Sequence, residues 1–335
     1  MKKTFLRVDM RKSTNDNENE MKALVVENGD ISLKTVPDPV PGPGEVLIKI
    51  LKAGICNTDL EIQKGYMAFS GILGHEFVGR VIDAPLKEWV GQTVVGEINL
   101  FCGTCEFCMR GDTKHCPSRK VLGIAGKGGA FAEYLTLPMQ ILHALPKNVS
   151  IEEGVFTEPL AAAIEVLKHF NSAQDRVLVL GDGKLGLLIA QVLVLESDSV
   201  ICVGKHERNL SILERIGVHT FMKGDDVEPG FPLVVEATGN EEGLNTALRM
   251  VAPTGIVVLK STYRNAPTID VAKVVVDEIQ LIGSRCGSFP EAISYLENKR
   301  IDVAEIIDGD FPLDRATEAF ELAGKPGTLK ILITP

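Results

Sequence analysis

The stretch from Arg176 to Ser284 alternates short apolar runs with helical segments, and this alternation restricts the fold more than any other feature of the chain. RVLVLG, SVICVG, LVVEATG, TGIVVLK and IQLIGS read as strands. The segments from Lys184 to about Leu195, ERNLSILERIG and the residues after Asn240 carry helical apolar spacing. Val/Ile/Leu runs without polar alternation suit strands buried on both faces, and intervening helices make such strands parallel. The expected unit is a doubly wound α/β domain over residues 161–300.

The text on either side has a different character. From Met21, short apolar runs (ALVVE, VLIKILKAG) are broken by turn signals such as PDPVPGPGE, whose prolines exclude helix and central strand. This pattern continues to about residue 150, EPLAAAIEVLKHF then reads as a helix, and after about Ile301 irregular text ends in the strand-like LKILITP. A chain of 335 residues suits about two domains. The expected organisation is a β-rich domain from residues 21–160 and 301–335, with the α/β domain inserted. Residues 1–20 mix both charges, lack an apolar stretch and read as a flexible extension without a signal peptide.

After RVLVL comes GDGKLG, so Gly181, Gly183 and Gly186 form G-x-G-x-x-G between a strand and a helix. That context makes it a Rossmann-type dinucleotide turn. Gly181 permits the tight turn, Gly183 the approach of a pyrophosphate, and Gly186 the contact of helix with strand. Lys184 and Leu185 complete the cradle at the helix N-terminus, where an anion is favoured. The acid that usually ends the second strand in NAD sites is absent. Gly204 stands there, followed by Lys205, His206 and Arg208. Cations in place of a carboxylate favour a 2′-phosphate, hence NADP over NAD. Thr238, after the third strand, is a candidate contact for the adenosine end.

Four of seven cysteines fall in CGTCEFCMRGDTKHC. Cys102, Cys105, Cys108 and Cys116, spaced C-x2-C-x2-C-x7-C, suit a tetrahedral Zn²⁺ better than any disulfide scheme. Four thiolates fill the coordination sphere, so this lobe, within residues 97–120, is read as a staple. The thiol usage fits a reducing, cytoplasmic compartment. A net charge of −10 argues against a nucleic-acid partner, and no apolar run approaches a membrane span.

Several separated motifs occur together in order: C-x-T-D at Cys56 to Asp59, GHE-x-x-G at 74–79, the cysteine lobe, GAFAEY at 129–134, EPLA at 158–161 and GDGKLG. With these the chain resembles the zinc-containing medium-chain alcohol and polyol dehydrogenases over nearly all of residues 21–335. The resemblance implies a GroES-like catalytic domain with an inserted Rossmann domain and two zinc ions per chain. The catalytic ion would lie at Cys56 and His75, with Glu76 and Glu158 binding directly or through water, and the structural ion in the four-cysteine lobe. Thr58 would relay the alcohol proton, and Asp59 would orient His75. Cys56 thiolate, neutral His75 and one glutamate would neutralise Zn²⁺ and leave a position for the substrate oxygen, with Glu76 stepping away as substrate binds.

The activity implied is hydride transfer between an alcohol, polyol or sugar hydroxyl and NADP, in a homo-dimer or homo-tetramer. The alternatives are an NAD-linked polyol or threonine-type dehydrogenase, and a non-catalytic nucleotide-binding protein on the same fold. Asn57 departs from relatives that carry a cation for the pyrophosphate at that position.

Overall fold

The computed structural model describes residues 20–171, 176–263 and 265–335. Apart from Glu20, the expected extension lies outside them.

The chain opens with the hairpin β1 (Glu20–Glu27) and β2 (Asp30–Pro37). The strand β3 (Glu45–Gly54) leads through Cys56 into the short helix α1 (Asn57–Gln63), and β4 (Gly71–Ile72) pairs with β1. Then come β5 (Glu76–Asp83) and β6 (Thr93–Gly96). The cysteine lobe follows, with β7 (Asn99–Leu100), the single turn α2 (Glu106–Met109), β8 (Lys120–Leu122) and β9 (Gly126–Lys127). β10 (Tyr134–Pro138) and β11 (Leu142–Ala144) return to the main sheet, and α3 (Ile151–Val155) and α4 (Thr157–Ile164) lead out of it. The helix expected over 158–170 stops at Ile164 and continues as a 3₁₀ turn, Glu165–His169.

The inserted domain holds β12 (Val177–Leu180), α5 (Lys184–Val194), β13 (Val200–Gly204), α6 (Glu207–Glu214) and β14 (His219–Met222). It continues with β15 (Phe231–Glu236), α7 (Glu241–Met250), β16 (Val251–Leu259), α8 (Val271–Val276), β17 (Gln280–Gly283) and α9 (Phe289–Glu297). Its six strands lie in the order β14-β13-β12-β15-β16-β17, and every pairing is parallel. All four residues of β12 are buried, as a central strand covered on both faces requires. In α5 every residue from Gly186 to Leu193 is buried, so this helix is apolar all round because protein covers it on every side. The order reverses beside β12, where β13 and β15 flank it, and this opens the crevice in which such sheets bind ligands. The sequence reading missed β14, α8 and α9. They are short or polar in part, and α8 exposes three of its valines.

The last segment brings β18 (Ile307–Pro312), α10 (Ala316–Ala323) and β19 (Lys330–Thr334) back to the first domain. The seven-stranded mixed sheet runs β11-β6-β5-β3-β19-β18, with β10 also paired to β3. Leu332 pairs with Gly54 and Ile333 with Ala53, and Ile55 N–H donates to the Ile331 carbonyl at 2.9 Å. The C-terminal strand therefore lies directly beside the loop that carries Cys56. Phe131 and Phe320, both buried, meet edge to face at 5.7 Å and bind α10 to the N-terminal core.

Phe320→Ala should cost about 3–5 kcal/mol, the range for deleting a buried aromatic. Urea unfolding at neutral pH measures it, and a loss under about 1 kcal/mol would mean that α10 shares no core with the N-terminal sheet.

Candidate active site

One buried carboxylate organises the loop that carries Cys56. Asp59, on the first turn of α1, accepts the backbone N–H of Cys56 at 2.9 Å through Oδ2 and that of Gly74 at 3.3 Å through Oδ1. It thereby ties the loop after β3 to the loop before β5, and puts His75 beside Cys56. His75 Nδ1 stands 3.4 Å from Asp59 Oδ1, buried and without a hydrogen bond. One donor atom each from Cys56, His75 and Glu76 lies within 4.8 Å of the other two. Burial opposes charge on His75, but the Asp59 carboxylate and the Cys56 sulfur outweigh it and raise the imidazole well above its ordinary range. Thiolate, imidazole and carboxylate converging in this way are a donor set that fits Zn²⁺.

Glu76 has a partner that the sequence reading did not include. Its carboxylate is in contact with the Lys330 ammonium, both side chains are only 1% exposed, and Lys330 also donates to the Ile55 carbonyl at 3.4 Å. Glu158 is close enough for the charges of His75 and Glu76 to act on it, yet it does not join the three-residue cluster. Burial pushes the Glu158 carboxyl up, with Glu76 reinforcing and His75 and Lys330 opposing. The Thr58 hydroxyl lies 3.7 Å from Cys56 Sγ.

The four expected lobe cysteines also converge, again within 4.8 Å of one another. Cys105 and Cys108 sulfurs are 3.4 Å apart, Cys102 and Cys108 sulfurs 3.9 Å, and all seven thiols of the chain are free. Tetrahedral zinc with Zn–S near 2.3 Å requires S···S of about 3.8 Å, so the spacing fits that ion. Hydrogen bonds from Thr104 lower the Cys102 thiol to about 6, whereas desolvation and the Cys105 sulfur push Cys108 up to about 12. Four sulfurs this close would repel one another as thiolates, which a cation among them would offset. From this lobe Lys114 reaches Glu165 at 2.7 Å and the Cys286 carbonyl at 3.2 Å, and the Arg285 guanidinium returns to the Lys114 carbonyl. The staple thus touches the end of β17 in the other domain.

The three glycines of the turn differ in their surroundings. Gly181 has φ +114°, and a Cβ there would lie 2.6 Å from the Ala237 carbonyl oxygen. A Cβ on Gly186 would meet the Gly181 oxygen at 1.9 Å, while around Gly183 nothing stands within 4 Å of that position. The free space over the helix N-terminus is what a pyrophosphate needs. Leu185 packs against the core of this domain. Lys184 opens α5 and feels the charges of Cys56, Glu76 and Asp59. Burial first, then Lys330, lowers its pKa. The turn therefore lies within electrostatic reach of the three-residue cluster.

Elsewhere the structure revises the candidates. Thr238 donates its hydroxyl and its N–H to Glu236 Oε1 at 2.6 and 2.7 Å, and Tyr263 donates to Oε2 at 2.6 Å, so the Thr238 hydroxyl is already committed. Arg208 is paired with Asp308 at 2.5 Å, and His206 with Asp182 at 3.0 Å. Lys205 is exposed, with no carboxylate partner among the described residues. Lys260, at the end of β16, went unnoticed in the sequence. It donates to Ala162 O, Ser284 Oγ and Arg285 O at 2.7–3.3 Å. Lys330 and Lys260 each stand next to apolar strand text, and a lone lysine so placed was the available signal.

A six-stranded parallel sheet with a glycine turn, joined to a sheet domain with a Cys/His/Glu cluster and a Cys₄ lobe, defines a metal-dependent dehydrogenase. The chain matches the family Alcohol dehydrogenase GroES-like domain over residues 42–147 and Glucose dehydrogenase C-terminus over residues 151–333. L-threonine 3-dehydrogenase of Streptomyces coelicolor is 30% identical over 87% of this chain and 92% of its own length. Sorbitol dehydrogenase of Halalkalibacterium halodurans is 28% identical, covering 94% and 99%. Among solved structures, a zinc-binding dehydrogenase from Sinorhizobium meliloti bound to NADP superposes with TM-score 0.86 at 27% identity, over 94% of this chain and 99% of that one. An alcohol dehydrogenase from Escherichia coli complexed with NADH does so with TM-score 0.85 at 26% identity, over 95% and 100%. This chain belongs to the zinc-type medium-chain dehydrogenase/reductase family, and is an NAD(P)-dependent enzyme of it.

Lys330→Ala should destabilise the chelator-treated protein by about 3–5 kcal/mol, because it leaves Glu76 charged and buried alone. Urea unfolding reads this out, and a cost near zero would mean that Glu76 has another counter-charge. Lys260 gives a pH prediction. Burial lowers it from its ordinary 10.5 to about 8, against the charges of Cys286 and Glu158. Between those values the unfolded chain holds more protons than the folded one, so this group adds stability as pH rises from about 8 to about 10.5. Wild type should therefore gain on Lys260→Met across that interval and run parallel to it below about pH 7.

Proposed function

We propose that the protein transfers hydride between an alcohol, polyol or sugar hydroxyl and a nicotinamide dinucleotide at a zinc ion held by Cys56, His75 and Glu76. The observation that carries this is the adjacency of the dinucleotide turn and the three-residue cluster, with Lys184 of one feeling the charges of the other. Zinc bound there would act as a Lewis acid on the substrate oxygen. The chain supplies the rest. Asp59 holds the loop and faces His75 Nδ1, Lys330 sets the position of Glu76, and Thr58 is placed beside Cys56 to carry a proton from the substrate hydroxyl. Glu158, kept outside the cluster and favoured as the neutral acid by burial, is available to approach when Glu76 withdraws.

A second zinc in the Cys102, Cys105, Cys108 and Cys116 lobe belongs to the same reading, as do a cytoplasmic location and a homo-oligomer. In support, the thiols are all free, no helix among the described residues is long and apolar enough to cross a membrane, and Val271, Val275 and Val276 are exposed beside the edge strand β17. The names of the relatives, threonine and sorbitol dehydrogenases among them, support a small hydroxylated substrate. NADP was favoured on three cations after Gly204. Two of these are committed within the protein, so Lys205 is what supports that choice.

Elemental analysis tests the proposal. Wild type should carry two zinc ions per chain, Cys56→Ala about one, and the variant should lose alcohol-dependent reduction of the dinucleotide by roughly a thousandfold or more. Equal zinc in both proteins would overturn it.

A further inference from the structure

We propose that Asp182 is the residue that selects the dinucleotide, and that it selects one with a free 2′-hydroxyl, NAD. This rests on the dinucleotide reading above and reverses the preference drawn from the sequence. In dinucleotide folds the ribose acid stands at the end of the second strand, which here is Gly204. That place is not vacant. A Cβ on Gly204 would lie 2.5 Å from Asp182 Cβ, 2.6 Å from its Cγ and 2.8 Å from Leu210 Cδ2. The side chain of the second residue of GDGKLG has folded into the space above Gly204, and Gly204 is bare because Asp182 is there. The carboxylate beside the strand end is thus supplied from the glycine turn.

Its bonding fixes what else that pocket can hold. Asp182 Oδ2 accepts the backbone N–H of Lys205 at 3.0 Å, that of His206 at 2.6 Å and His206 Nδ1 at 3.0 Å. These are the donors that a 2′-phosphate beyond the strand would need, and they are already used. Oδ1 takes no donor from the described residues and is not a buried orphan, which leaves it free for a hydroxyl that donates. The turn itself is pinned, since Asn209 Nδ2 donates to the Asp182 carbonyl at 3.0 Å and to that of Gly327 at 3.2 Å. Arg208 is held away by Asp308, whose other oxygen accepts Leu329 N–H at 2.7 Å. A 2′-phosphate would gain Lys205 and face a carboxylate, while a ribose diol would gain an acceptor.

Calorimetry with ADP-ribose and 2′-phospho-ADP-ribose tests this on the full chain, and needs neither turnover nor an identified alcohol. Wild type should bind ADP-ribose at least tenfold more tightly than its 2′-phosphate. Asp182→Asn, which keeps the shape and removes the charge, should shrink that ratio at least fivefold. Asp182→Gly combined with Gly204→Asp, which returns the acid to the strand end, should restore it. If the 2′-phosphate binds more tightly to wild type, or if the ratio is unchanged in Asp182→Asn, the proposal fails while the dehydrogenase reading stands. If neither nucleotide binds, both fail.

Discussion

A carboxylate cannot remain charged in a dry interior without a counter-charge, and Glu76 is almost wholly buried. Lys330 provides that charge from a position 254 residues further along the chain. Much else follows from this pair. To bring the ammonium to Glu76, β19 must lie beside β3, and the same pairing puts the Ile331 carbonyl on Ile55 next to Cys56. Gly54 is bare for the same reason, because a Cβ there would stand 2.6 Å from Glu76 Oε2. The discontinuous domain is thus a requirement of the site as much as of the core.

Charge balance also organises the surroundings. Asp59 serves two backbone donors and faces His75, and Lys114 carries the cysteine lobe across to Glu165 and Cys286. The bond to Cys56 is local, whereas the Gly74, Glu165 and Cys286 contacts join segments 15, 51 and 172 residues apart. Lys114 thereby links the Cys₄ lobe to the segment that follows β17.

The alternation of strands and helices, the glycine turn and the four-cysteine lobe were legible because each is local: a strand run, a turn and a short spacing contain their own reason. The convergence of Cys56, His75 and Glu76 was reached through resemblance, since nothing local joins residue 56 to residue 75. Lys330 and Asp182 were not read at all. A lysine heading an apolar strand looks like a chain-end charge, and its role depends on a register between strands that no spacing encodes. Asp182 was hidden by its own motif, where it occupies a variable position, and by the rule that seeks the acid at Gly204. Of the cations after Gly204 the number was visible in the sequence, but the partners of His206 and Arg208, Asp182 and Asp308, were not.

The split of the outer sheet also bears on how the chain reaches its native state. The inserted domain is continuous in sequence, and its parallel strands are joined by short crossovers. β3 and β19, by contrast, can pair only by closing a loop that contains that whole domain. The entropy of closure grows slowly with loop length, and a folded insert shortens the effective loop further by holding its two ends together. The order of events should therefore run from the inside outward, with the dinucleotide domain acting as a clamp that makes the outer pairing affordable. Until β19 has paired with β3, Glu76 has no Lys330 beside it and keeps its charge in water.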